Sequence, residues 1–142
     1  MDSSSQKKDL HKLMPYLGNA MENHLGMKFL PTDEDGTIHA EMAVDHRTCQ
    51  PFGCLSGGAS LALAETLAGY GSYALCPPSK YPCGMQVTGN HVMPAMVGDT
   101  VHASGKLVHR GATTHIWDIT IKDSEDHLIS VVRVVNYIQR RK

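Results

Sequence analysis

Gly57 to Leu75 (GGASLALAETLAGYGSYAL) carries small or apolar side chains at nearly every position and reads as one helix. A helix that is apolar almost all round has to be buried inside its domain. Its alanines and glycines let a sheet approach closely, and Pro77-Pro78 ends it, because proline cannot continue a helix. The one carboxylate in the run is Glu65. A buried carboxylate is costly unless it is partnered, and burial favours its protonated form. That tuning suits a general base or a nucleophile at neutral pH. A structural carboxylate bonded to a turn is the competing explanation.

The sequence around the helix has strand periodicity. Residues 6–24 suggest short helical pieces broken at Pro15 and Gly18. The next stretch reads as a hairpin with its turn at Asp35-Gly36. Ile38, Ala40, Met42 and Val44 then alternate with more polar neighbours. After the helix come Met85 to Val92, a strand around Val101 to Val108, another with Trp117, Ile119 and Ile121 on one face, and the β-branched run Leu128 to Ile138. Short turns join these strands, which argues for antiparallel pairing. The expected fold class is α+β: one long buried central helix wrapped by a curved antiparallel sheet, forming a single domain over residues 1–142 with an N-terminal helical segment at 1–24.

Composition closes off other classes. A formal net charge of −1 leaves no electrostatic footprint for nucleic acid. The basic run Arg140-Arg141-Lys142 reads as a solvated end. No apolar run reaches membrane-spanning length. The polar start MDSSSQKKDL has no secretory core, so a cytoplasmic location is expected. Cys49, Cys54, Cys76 and Cys83 form no C-x-x-C pair and read as free thiols. No Cys/His spacing suits a metal, and no cofactor is expected.

Several strings along the chain carry a family resemblance: DHRTCQPFGCLSGGASLALAET, GNHV, HRG followed after three residues by IW, and VVRVV. Together they resemble the hotdog-fold acyl-CoA thioesterases, in the branch of the enterobactin-proofreading and menaquinone-pathway (dihydroxynaphthoyl-CoA) enzymes and the hydroxybenzoyl-CoA thioesterases. The resemblance implies hydrolysis of an acyl- or aryl-CoA thioester, with Glu65 either attacking the carbonyl or activating water. Gly57 opens the helix, so its N–H is one of the unpaired first-turn donors and is suited to hold the developing oxyanion. Gln50, in the loop before the helix, is placed to orient the thioester or to hold Glu65.

The family's substrate- and CoA-contacting segments fall on Gly84, His91, Val92, Met93, Pro94, His109, Arg110, Gly111 and Thr113, with Arg110 the candidate for a CoA phosphate. Gly69 and Tyr70, one turn beyond Glu65, are expected to line the acyl pocket. Ser56 stands where the branch commonly has histidine, and a serine there can cap the helix. Gly57 and Glu65 are eight residues apart, roughly 12 Å along one helix. One helix cannot bring both to the same carbonyl. Two antiparallel helices across a two-fold axis can, so a homodimer is expected, and the resemblance implies the same, usually as a homotetramer built as a dimer of dimers. A hotdog hydratase or dehydratase, and a non-catalytic acyl-CoA-binding module, are the alternatives.

Overall fold

The computed structural model describes residues 12–142; the expected helical pieces within residues 6–11 lie outside them. A short helix α1 (Met21–His24) leads into β1 (Lys28–Leu30) and β2 (Ile38–Ala43). The long helix α2 spans Gly57–Leu75, and four strands follow: β3 (Lys80–His91), β4 (Thr100–Arg110), β5 (Thr114–Lys122) and β6 (Leu128–Arg140). All six strands form one antiparallel sheet in the order β1-β2-β4-β5-β6-β3.

Alternation sets which side of the sheet meets the helix. Ile38, Ala40 and Met42 on β2, Val101 and Ala103 on β4, and Trp117, Ile119 and Ile121 on β5 all point inward and are buried. They meet Ala59, Leu63, Ala64, Leu67 and Ala68, one stripe of α2 at helical spacing. Small residues make that approach close. A Cβ on Gly71 would lie 2.8 Å from both Ile38 and Trp117 side-chain atoms.

Two expectations change. Strand β3 begins at Lys80 rather than Met85 and runs through Pro82. It is the last strand of the sheet, and an edge strand tolerates a proline that an inner strand would not. The helix is also not buried all round. Its stripe at 59, 60, 63, 64, 67, 68, 71 and 72 is covered by the sheet, while Leu61, Ala62, Glu65, Gly69 and Tyr70 lie on a face left partly or fully open. Among the described residues, no helix is long and apolar enough to cross a membrane.

Candidate active site

The loop before α2 is held rigidly. Thr48 is buried; its hydroxyl donates to the Ala43 carbonyl at 2.8 Å and accepts from the Asp45 N–H at 3.1 Å. The Ser56 N–H donates to the Thr48 carbonyl (2.8 Å), and the Leu55 N–H donates to the Ala95 carbonyl (2.7 Å). Gln50 sits within this frame. Its N–H donates to the Cys54 carbonyl at 2.8 Å, and its side-chain oxygen accepts from the Phe52 N–H.

Ser56 occupies the cap position with extended backbone, but its hydroxyl makes no capping bond, contrary to expectation. Its carbonyl instead accepts from the Ala59 and Ser60 N–H groups (3.0 and 3.1 Å). That arrangement leaves the Gly57 and Gly58 N–H groups without an acceptor among the described residues, as the first turn of a helix requires.

His91, at the end of β3, lies over this helix start. Register pairs it directly with Ser130 of β6, and its Nδ1 is 2.7 Å from the buried Ser130 hydroxyl. A Cβ on Gly57 would lie 2.7 Å from His91 Nε2, so glycine is what lets the imidazole approach the helix. Gln50, Gly57, His91, Val92, Met93 and Pro94 share one cavity of about 320 Å³. Six expected site residues are therefore brought together. Ser130 was not anticipated; only the strand register puts it beside His91.

Glu65 lies elsewhere. It projects from the open face of α2, exposed rather than buried, against the backbone of Gly84, where any Cβ would collide with the carboxylate. A cavity of about 390 Å³ starts beside it at Thr66, Gly69 and Tyr70. Tyr70 donates its hydroxyl to Glu22 Oε1 at 2.8 Å and packs on Phe29 with ring centroids 4.5 Å apart. Burial, and then the Glu22 carboxylate, push the Tyr70 phenol up to about 12. Glu22, on the short α1, is another contributor that the sequence pattern did not reveal.

The remaining expected residues form a third group. His109, Arg110, Gly111 and Thr113 sit at the β4–β5 turn, near the far end of α2, where Arg110 Nη2 donates to the Leu75 carbonyl at 3.3 Å. The His109 ring folds over Gly111, and the Thr113 carbonyl accepts from the Ile138 N–H at 2.8 Å. Leu75 is ten residues beyond Glu65, roughly 15 Å along the helix. Among the described residues, no three His, Cys, Asp or Glu side chains are grouped to hold a metal ion.

The long helix laid on a six-stranded antiparallel sheet, with a carboxylate mid-helix and open amides at its start, defines a hotdog-fold thioesterase. Residues 52–130 match the thioesterase superfamily, and the chain belongs to it. The crystal structure of a thioesterase from Haemophilus influenzae superposes with a TM-score of 0.83 at 34% identity, covering 92% of this chain and 90% of that one. A mutant thioesterase from Pseudomonas aeruginosa superposes at 0.84 with 34% identity, covering 93% and 94%. The 1,4-dihydroxy-2-naphthoyl-CoA hydrolase of Escherichia coli is 36% identical over 104 residues, 73% of this chain and 76% of that protein. The protein is a thioester hydrolase.

Proposed function

We propose that the chain hydrolyses an acyl- or aryl-CoA thioester to the free acid and CoA, at a site completed by a second copy. The observation that carries this reading is the separation of two half-sites on one helix. Gln50, Gly57 and His91 surround the open amides at the start of α2, and Glu65 stands two turns further along. Apolar groups on the outer helix face and the unpaired edge of β3, next to Glu65, are surfaces that a two-fold partner would cover. A partner helix running antiparallel sets its Gly57 opposite Glu65.

In that arrangement the thioester oxygen rests on the Gly57 N–H, at the positive end of the helix, where developing charge is stabilised. Gln50 orients the carbonyl. Either Glu65 attacks the carbonyl carbon, the CoA thiolate leaves with its electron pair and water then cleaves the acyl–Glu65 anhydride to the free acid, or Glu65 takes a proton from a water whose oxygen attacks the carbonyl carbon and displaces the thiolate; in both cases the thiolate acquires a proton. The acyl group occupies the cavity that begins at Thr66, Gly69 and Tyr70. An aromatic acyl group suits its tyrosine walls and agrees with the naphthoyl substrate named for the E. coli relative.

The test is thiol release from a panel of benzoyl-, naphthoyl- and alkanoyl-CoA thioesters. Wild type is expected to turn over aryl-CoA, with Glu65→Ala reducing kcat by about 10³-fold or more. Wild-type turnover in Glu65→Ala at saturating substrate would eliminate the mechanism. CoA-thioester binding without thiol release would favour a binding module.

A further inference from the structure

We propose that His91 is a second donor to the thioester oxygen, beside the Gly57 N–H, and that the buried Ser130 hydroxyl is the positioning residue that sets its tautomer. This rests on the thioesterase reading above. The backbone that carries His91 is pinned to β6. His91 pairs directly with Ser130, and the next residue, Val92, donates its N–H to the Ile129 carbonyl at 2.9 Å. The ring is thereby held with one edge against the core and the other in the cavity it shares with Gln50 and Gly57. Its Nδ1 lies 2.7 Å from Ser130 Oγ, and Ser130 is fully buried. Among the described residues, that hydroxyl has no other hydrogen-bond partner.

Counting protons then fixes the ring. A serine hydroxyl has one proton, and a buried donor left without an acceptor is destabilising. If His91 donated from Nδ1, the Ser130 proton would have no acceptor among the described residues. Ser130 therefore donates to Nδ1, and a neutral His91 carries its own proton on Nε2. Nε2 is the atom that overhangs the helix start, 2.7 Å from where a Gly57 Cβ would stand. The Cα–Cβ direction of a helical residue leans toward the N-terminus, the direction in which the first-turn N–H groups also point. A Cβ lies about 2.5 Å from its own nitrogen, so His91 Nε2 and the Gly57 nitrogen are at most about 5.2 Å apart. Two donors that each reach one oxygen at about 2.9 Å can stand up to about 5.8 Å apart. One thioester oxygen can therefore accept from both.

As the nucleophile adds, the carbonyl π electrons move onto oxygen, and both N–H groups strengthen their hydrogen bonds to the growing charge. No proton is transferred to the oxygen, and its electron pair returns as the C–S bond breaks. With the other tautomer, Nε2 would present a lone pair and repel the oxyanion. Ser130 never touches the substrate. It decides whether His91 faces the oxygen with a donor or with an acceptor.

The experiment takes wild type, His91→Phe, His91→Gln, Ser130→Ala and the His91→Gln/Ser130→Ala double variant, with thermal melts to verify that each is folded. With an aryl-CoA thioester, His91→Phe is expected to lower kcat about 100-fold with KM within about threefold, as for a lost oxyanion donor. His91→Gln keeps an N–H near the Nε2 position and should lose less than about tenfold. Ser130→Ala should lower kcat about tenfold in wild type, and by less than about twofold in His91→Gln, because its effect passes through the imidazole. A wild-type kcat in His91→Phe would overturn the donor. An equal loss from Ser130→Ala in both backgrounds would overturn the positioning role. The carbonyl stretch of a bound, unreactive ketone analogue (aryl–CO–CH2–S–CoA, isotope-labelled at the carbonyl) reads the same hydrogen bond by infrared without turnover. Its frequency should rise in His91→Phe and in Ser130→Ala, and an unchanged frequency in both removes the donor. If wild type hydrolyses nothing yet the frequencies move as expected, the thioesterase mechanism fails and the donor pair stands. If wild type neither hydrolyses the thioester nor binds the ketone, both fail.

Discussion

A side chain at position 84 would occupy the space that the Glu65 carboxylate now fills. Gly84→Ala is therefore expected to displace the carboxylate and lower kcat about 10–100-fold, since small misplacements of a reacting group are costly. The melting temperature should fall by only a few degrees. Steady-state kinetics beside a thermal melt checks this, and an unchanged kcat would mean that Glu65 does not act from this position. Tyr70 gives a second residue-level prediction. Its phenol is raised from 10.0 to about 12, first by burial and then by Glu22. A raised acid favours the neutral form when folded, so this contribution to stability is present below pH 10 and is lost as pH rises through about 12. Alkaline absorbance titration of wild type minus Tyr70→Phe should show a phenol ionising near 12, and ionisation near 10 would show that neither burial nor Glu22 acts on it. Glu65 stood out in the sequence because it interrupts an apolar run. Its exposure was not legible. A helix covered by a sheet on one face and left apolar on the other carries the same composition as one buried on every side.

At the scale of elements, one hydroxyl ties α2 to two strands. Ser72 Oγ lies 2.9 Å from Trp117 Nε1, 3.0 Å from Asn136 Nδ2 and 2.9 Å from His115 Nδ1, and all four residues are buried. Indole and amide nitrogens only donate, and a serine hydroxyl has two acceptor positions and one proton. Ser72 must therefore donate to His115 Nδ1, which fixes that imidazole as neutral with its proton on Nε2. Burial, and then Arg110 and His109, push the His115 pKa below its ordinary value of 6.5. A depressed histidine disfavours the proton in the folded state, so full stability holds above pH 6.5 and falls as the pH drops below it. Urea midpoints should decline on going from neutral to mildly acidic buffer, and less so in His115→Gln; an equal decline in both would point to other groups. Ser72→Ala leaves Trp117 Nε1 and His115 Nδ1 without a partner, while Asn136 Nδ2 keeps the Ala68 carbonyl at 3.2 Å, and should cost about 2–3 kcal/mol in the same assay. The extent of α2 was readable from its small and apolar run and the prolines that stop it, and the inward faces of β4 and β5 from periodicity. The start of β3 was not, because Pro82 argues against a strand until the strand is known to be an edge. The polar network was hidden for a different reason: Ser72, His115, Trp117 and Asn136 meet only through packing and register.

For the whole molecule, the proposed mechanism rests on one chain carrying two incomplete halves of a site. Roughly 12 Å of helix separates Gly57 from Glu65, and no side-chain rotation closes that gap. A two-fold dimer built on the outer face of α2 and the edge of β3 yields two equivalent sites, each taking Glu65 from one copy and Gln50 with the Gly57 amide from the other. Two defective proteins should then repair one another. Glu65→Ala lacks the reacting carboxylate, and Gln50→Ala lacks the orienting amide, so each homodimer carries the same lesion twice. A mixed dimer gathers both lesions into one site and leaves the other intact. After unfolding and refolding an equimolar mixture, half the dimers are hybrids on random pairing, and each hybrid has one working site of two. Recovered activity should approach about a quarter of the wild-type rate, provided that the homodimers are inactive by comparison. Differently tagged variants allow the hybrid to be isolated and its formation verified. A verified hybrid no more active than its parents would place Gln50 and Glu65 in one chain's site, and would require the 12 Å to be closed by a rearrangement of α2 rather than by a partner.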